Sequence, residues 1–320
     1  KCIAPLLHLR SDIWISRLSL WRDTHSLHAI SLGVYGSRPI QNSRQKDALP
    51  MKEGINKLAL NVLAVVFAFI WGIPFIYSLW TSIHPEKYAA NFKLTAPITF
   101  SNYVEAWHAA PFALYFANTV ILTIIILIAN LVLCTLVAYA FVRYRFPGAG
   151  LLFALIMVQL LITPEILIVE NYTTLAKLGF IDTIFGIALP YLTSAFGIFL
   201  LRQTFKTVPK SLDEAAQVEG ASAWRVLWDV YVPLAKPTYL AYALVSISFH
   251  WNNFLWPLIV TNSPEARPVT VGLSIFATVE SGVEWSLVNA ATVMTTAPLV
   301  LAFLIFQRQF VANFMRAGIK

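Results

Sequence analysis

At 320 residues, 58% of them hydrophobic and 12% charged, with a mean hydropathy of +0.67, the chain is too apolar for an ordinary soluble domain. Its formal charge of +7 does not mark a nucleic-acid binder, because the basic residues stand at the ends of apolar runs rather than in one dense patch. Two cysteines, Cys2 and Cys134, supply neither a disulfide framework nor a metal site.

Residues 1–50 read as an N-terminal extension of uncertain status, and Met51 is a candidate start. The stretch from Ile13 to Trp21 fits an amphipathic segment on a membrane surface, and equally a leftover leader, so no role is assigned to it. From residue 51 to 320 the expectation is one transmembrane domain with six spans, at roughly 58–80, 118–142, 150–170, 184–201, 238–261 and 289–312. Each approaches the ~20 apolar residues that a bilayer requires. Pro164, Pro190 and Pro257 lie within or at the ends of spans, where a bundle tolerates kinks. The runs are continuous and lack barrel-like alternation, so the predicted fold class is all-α, a polytopic membrane helix bundle with six transmembrane helices.

Orientation follows from Lys and Arg, which concentrate on the cytoplasmic side. Nineteen fall on the side holding the N-terminal stretch, the loops at 143–149 and 202–236 and the C-terminal end; four (Lys87, Lys93, Lys177 and Arg267) fall on the other. Without the first fifty residues the balance is still twelve to four. A bacterial cytoplasmic membrane protein with both termini inside is expected.

Polar groups inside spans are costly and are functional candidates. In the third span these are Gln159 and Glu165, which can line an entrance or pair with cations of a companion subunit; Glu170, further on, reads as solvated. In the fifth, Asn252, Asn253 and Trp256 lie within about one turn, so amides and an indole can face one cavity, a pairing suited to sugar hydroxyls and ring faces. The competing reading makes Trp251 and Trp256 an interfacial aromatic belt and gives the asparagines to helix–helix hydrogen bonds. His250 reads as an interior hydrogen-bonded residue.

The 202–236 loop carries Leu212-Asp213-Glu214-Ala215-Ala216-Gln217-Val218-Glu219-Gly220-Ala221-Ser222, followed by Val230, Val232 and Pro233. Ser211 is a candidate cap for a short helix with Asp213 and Glu214 in its first turn, and Gly220 is its expected left-handed end. A second helix through Trp224, Leu227, Trp228 and Tyr231 has i, i+3, i+4, i+7 apolar spacing and is expected to stop before Pro233. Two such helices make a compact protrusion suited to a groove on a soluble partner, or an ordinary loop on the headgroups.

Glu-Ala-Ala, three residues, Gly, nine residues, aliphatic, one residue, aliphatic, Pro resembles the coupling-loop signature of ABC importer permeases, with Val230 and Val232 where isoleucine and leucine are usual. Across residues 55–320 the chain is similar to the carbohydrate-importing branch, maltose and glycerol-phosphate types, second permease subunit. The pieces that carry this are Arg143 to Gly148, Lys177 to Thr183 and Trp251 to Pro257. The resemblance implies an importer-type permease fold in which Asp213, Glu214, Ala215, Ala216, Gly220 and Pro233 form the ATPase-coupling element. It implies as partners a second permease subunit, two copies of an ATP-binding subunit and an extracytoplasmic solute-binding protein, besides lipid. In maltose-type importers the loop corresponding to 262–288 reaches into the binding protein, which makes Thr278, Glu280 and Glu284 contact candidates.

The sequence has no Gly-x-x-x-x-Gly-Lys-Ser/Thr loop, no His-Glu-x-x-His site and no Gly-x-Ser-x-Gly turn. The chain is therefore expected to be no enzyme and to bind no cofactor, with ATP and Mg held by the partner subunits. The expected activity is alternating-access import of a sugar or sugar-like solute. Glycerol or glycerol 3-phosphate are alternatives, although the spans offer almost no cations for a phosphate. An ion-coupled secondary transporter, and a purely structural membrane protein, are the alternatives of a different class.

Overall fold

The computed structural model describes the backbone of residues 49–93, 95–277 and 283–318, with side chains over 60–93, 95–276 and 283–307. The stretch Ile13 to Trp21 and the candidates Thr278 and Glu280 lie outside the described residues. The chain divides into two compact units at Ala68. Up to that point the described structure is one helical segment, the first part of α1 (Leu49–Ser82).

Among the described residues there are helices and turns and no strands, as the sequence predicts. Three unbroken helices are long and apolar enough to cross a membrane: Leu60–Ser82 within α1, α3 (Phe112–Arg143), and Trp285–Gln307 within the last helix, α14 (Trp285–Gly318). α2 (Ser101–Ala109) lies between the first two of these. Two further helix pairs are apolar and long enough only when each bent pair is taken as one span, so the described residues give three unbroken spans, or five with the bent pairs, beside the six expected.

The expected third span breaks at Ile162 and Thr163. α4 (Ala149–Val158) and its 3-10 extension to Leu161 are turned by 94° from Pro164–Leu167 and α5 (Ile168–Leu178). The cause is local: a residue before proline is pushed out of the helical region, and Thr163 has ψ 138° ahead of Pro164. The fourth span bends by 49° between Ile184–Tyr191, which begins with α6 (Ile184–Ala188), and α7 (Ala195–Lys206). Thr183 and Ser194 each cap the helix that follows, accepting from the Gly186 and Gly197 amides at 3.0 and 3.2 Å. The expected fifth span is also interrupted. α11 (Lys236–Trp251) has 16 residues, about 24 Å at 1.5 Å each and short of a ~30 Å bilayer core; after Asn252–Phe254 comes α12 (Leu255–Val260).

α3 is the axis around which this unit packs. Its 32 residues contain neither Pro nor Gly, and it supplies residues to all three buried clusters. At one end Cys134, Ala138 and Tyr139 meet Leu201, Phe205, Leu227 and Tyr231. Midway Leu122 and Ile126 meet Ile187, Trp256 and Val260, and at the far end Phe112 and Tyr115 meet Val269, the first residue of α13 (Val269–Gly272), and Ala291. In lipid, close helix contact comes from small residues and interhelical hydrogen bonds rather than from hydrophobic transfer. Gly197 shows this: a Cβ there would lie 2.9 Å from the Tyr242 ring and 3.0 Å from Cys134 Sγ.

Candidate functional site

The motif-bearing loop folds into two short helices at the end of α3. α8 (Lys210–Val218) begins after Pro209, whose φ of −60° presets the turn, so Ser211 lies inside the helix and is not its cap. The end of α8 is as expected. Gly220 has φ +77°, its amide bonds to Gln217 O at 2.9 Å, and the Ala221 amide bonds to Ala216 O at 2.9 Å; this is a Schellman closure. α9 (Ala223–Val226) is capped by Ser222, which accepts from the Arg225 amide.

The second helix departs from expectation at Pro233. It continues through a π-helical turn, Leu227–Tyr231, into α10 (Val232–Leu234), which contains the proline. A proline lacks an N–H and crowds the carbonyl four residues back, and a wider turn relieves both. The apolar stripe is divided as well. Val226, Leu227 and Tyr231 are buried, while Trp224 and Trp228 are exposed and pack edge to face at 6.0 Å.

The outer surface of α8 carries Leu212, Glu214, Ala215 and Val218, all exposed, Val218 at 89%. Ala216 faces inward against the buried cluster. Asp213 also turns inward, with Oδ2 3.3 Å from Arg143 Nε at the end of α3. Beside this pair Tyr231 packs on Tyr139 at 5.1 Å; burial pushes the Tyr231 phenol up, the Asp213 carboxylate adds to that and Arg143 opposes it.

The second feature is a cavity of about 570 Å³ between the bent third span, the break of the fourth, and α11. Of the residues singled out in the sequence, Gln159, Glu165, Asn253 and Trp256 line it and Asn252 does not; the Asn252 amide bonds back to Ser248 O at 2.7 Å. The aromatic-belt reading is corrected. Trp251 and Trp256 are 8% and 4% exposed, and their indole N–H groups donate to Thr295 O and Ile187 O, both at 3.1 Å. These rings are interhelical anchors.

Tyr191, Tyr242, Ser246 and His250 also line the cavity, and sequence reasoning passed over the first three. Tyr242, Ser246 and His250 recur at i, i+4, i+8 on α11, a readable stripe. His250 is buried with Nδ1 unpartnered and its ring 5.1 Å from the Tyr191 ring, so the hydrogen bond expected of an interior histidine is not made through Nδ1. Asn130 on α3 fastens the wall. Its amide donates to Tyr191 O at 2.7 Å and Ile126 O at 2.9 Å, and its oxygen accepts from Tyr242 Oη at 2.9 Å.

At the opposite end from α8, Asp182 joins the turn after α5 to the segment after α12. Its Oδ1 accepts from the Asn262 and Ser263 amides at 2.9 and 3.0 Å. The Ser263 amide chiefly holds its carboxyl below the usual range, with the Asn262 amide and the Arg267 charge in support. Asp182 adopts φ 61°, a left-handed geometry that Asp tolerates. Glu284 is exposed immediately before α14.

The model of the family "Binding-protein-dependent transport system inner membrane component" matches residues 135–315, more than half of the chain, and takes in both the docking loop and the cavity. The chain belongs to this family. As one of these inner membrane components it is the permease of an importer, and its family is not one of enzymes. It is 30% identical over 270 residues to the sn-glycerol-3-phosphate transport system permease protein UgpE of Yersinia pestis bv. Antiqua, covering 80% of this chain and 96% of that protein. To the arabinooligosaccharides transport system permease protein AraQ of Halalkalibacterium halodurans it is 29% identical over 279 residues, 84% of this chain and 100% of that one. Its fold is that of a crystal structure of a bacterial ABC transporter involved in import of the acidic polysaccharide alginate, with TM-score 0.73 and 24% identity over 87% of this chain and 100% of that one. A second structure, a bacterial alginate ABC transporter in complex with an alginate pentasaccharide-bound periplasmic protein, matches with TM-score 0.60 and 15% identity over 81% and 97%.

Proposed function

We propose that this permease forms half of the translocation path of an ATP-driven importer for a neutral sugar or oligosaccharide. A second permease subunit supplies the other half, and two ATP-binding subunits, which hold ATP and Mg, drive alternating access. The observation that carries the reading is α8. It is a short helix closed by a left-handed glycine, with Leu212, Glu214, Ala215 and Val218 bare on its outer surface, the form of a plug for a groove on another protein. The exposed apolar surface of Val218 favours a protein groove over water, and Glu214 gives the plug a charge to match. Both termini and α8 lie on the cytoplasmic side in this reading, supported by the Lys and Arg balance. A solute-binding protein docks opposite, where Glu284 and the Asp182 turn stand.

The neutral solute follows from the cavity lining. It combines Tyr191, Phe196, Phe249 and Trp256 with Gln159, Asn171, Ser194 and Asn253, and Glu165 is the one charged side chain that lines it among the described residues. Aromatic faces and amides suit the apolar and hydroxyl edges of a sugar, whereas a phosphate or uronate would meet a carboxylate and no Lys or Arg. Among the solutes that the relatives' names carry, this favours a neutral oligosaccharide over glycerol 3-phosphate. The test is uptake by the reconstituted complex with its binding protein. Neutral oligosaccharide should drive ATP turnover and accumulate, with glycerol 3-phosphate a poor competitor; preferred uptake of the anion would overturn the assignment.

A further inference from the structure

We propose that Arg143 and Asp213 form a latch that delivers movement of the docking helix into α3, which makes Asp213 a positioning residue inside this chain rather than a contact for the ATPase. The proposal rests on the importer reading above. Its first support is direction: Asp213 stands in the first turn of α8, yet its side chain is only 12% exposed and points to Arg143, while neighbours Leu212 and Glu214 face outward. The Arg143 side chain is 26% exposed, so both charges are partly withdrawn from water, where their attraction is stronger than on an open surface. Asp213 Oδ1 and Arg143 Nε are both buried with no hydrogen-bond partner, so the attachment is the charge contact between Oδ2 and Nε.

Its second support is a companion contact one turn back on α3. Tyr139 Oη donates to Ala223 O at 3.0 Å, the first residue of α9, and its ring packs on Tyr231. α3 thus holds both helices of the docking loop, one through charge and one through a hydroxyl. The third support is what lies beyond. α3 runs unbroken for about 48 Å, whereas α1 and α14 contain Pro74 and Pro298 and two other spans are bent. Along it Asn130 fastens the cavity wall. At its far end Asn118 donates to Glu265 O and Arg267 O at 2.8 and 3.0 Å, and Thr119 Oγ1 accepts from the Val269 amide. A push on α8 therefore reaches the cavity and the far loop through one rod, and Arg143 and Asp213 are where the push enters.

The experiment uses the full complex in proteoliposomes with its binding protein and a neutral oligosaccharide, comparing Asp213→Asn, Asp213→Glu and Arg143→Gln. The readouts are the ratio of solute-stimulated to unstimulated ATP hydrolysis and copurification of the ATPase. Asp213→Asn and Arg143→Gln should keep the ATPase bound and lower the ratio about tenfold, within the usual range of coupling between sites. Asp213→Glu, which keeps the charge, should restore most of it, a result that a merely structural aspartate would not give. An unchanged ratio in Asp213→Asn overturns the latch. So does loss of the ATPase from that variant, which would place Asp213 at the partner interface. Wild-type protein that carries no ATPase overturns the importer reading itself and the latch with it.

Discussion

Two regions of the unit from Phe69 onward, the loop that carries α8 and the cavity, are built in opposite ways. At the docking end, proline, Schellman glycine, N-cap serine and π turn lock about 25 residues around a buried cluster of Phe205, Leu227 and Tyr231. At the cavity, spans break at Ile162–Thr163 and at Asn252–Phe254, and the residues around the first break, Leu161 and Ile166, are 83% and 70% exposed. In the importer proposed above, an element that transmits force to another protein gains from rigidity, and a wall that parts for a solute and meets a companion subunit keeps its breaks and its open apolar faces.

That contrast can be broken or sharpened by substitution. The largest effect is expected for Gly220→Val, which forces a β-branched residue into the left-handed region at a cost of about 1–2 kcal/mol. Uptake by reconstituted complex should fall on the order of tenfold; normal uptake would show that the docking end need not be rigid. Next comes Asn130→Leu, which strands the Tyr242 hydroxyl and the Tyr191 carbonyl at about 1–3 kcal/mol. Thermal unfolding of the purified complex should shift down by several degrees, and no shift would mean that the wall is held otherwise.

Glu165→Gln removes the one charge that lines the cavity among the described residues. Neutral uptake should persist while an anionic solute becomes a better competitor by a few-fold, read from competition assays. The smallest effect concerns acid. Asp182 has its carboxyl held below the ordinary value of 3.8, so its contribution is full above that value and is lost as pH falls through the lower folded value. Hydrogen-exchange protection of the Asn262 and Ser263 amides should drop over that window, and Asp182→Ala should show low protection at every pH.

Much of the docking end was legible because its instructions are local. Gly220 announced its own φ, and the spacing from Glu214 to Pro233 carried the family. Details that depend on neighbours were not. Pro209 took the helix start from Ser211, and the π turn let the second helix run through Pro233. The all-α bundle was plain in the hydropathy, but hydropathy does not register direction, so the 94° turn before Pro164 passed as one span. At the cavity, Gln159, Glu165, Asn253 and Trp256 stand out as polar or amphipathic groups in apolar runs; Asn252 carries the same signal within the same turn, but its amide bonds back to Ser248 O instead. Tyr191 came from the break of the fourth span, a feature of packing, and the inward turn of Asp213 toward Arg143 joins residues 70 positions apart.

The central claim, that the outer face of α8 seats in an ATP-hydrolysing subunit, is tested most directly by cross-linking Val218→Cys in the native membrane. A covalent adduct with the ATP-binding subunit is predicted, and none from the buried control Leu227→Cys. Labelling of Val218→Cys by an impermeant reagent from the extracytoplasmic side would contradict the account.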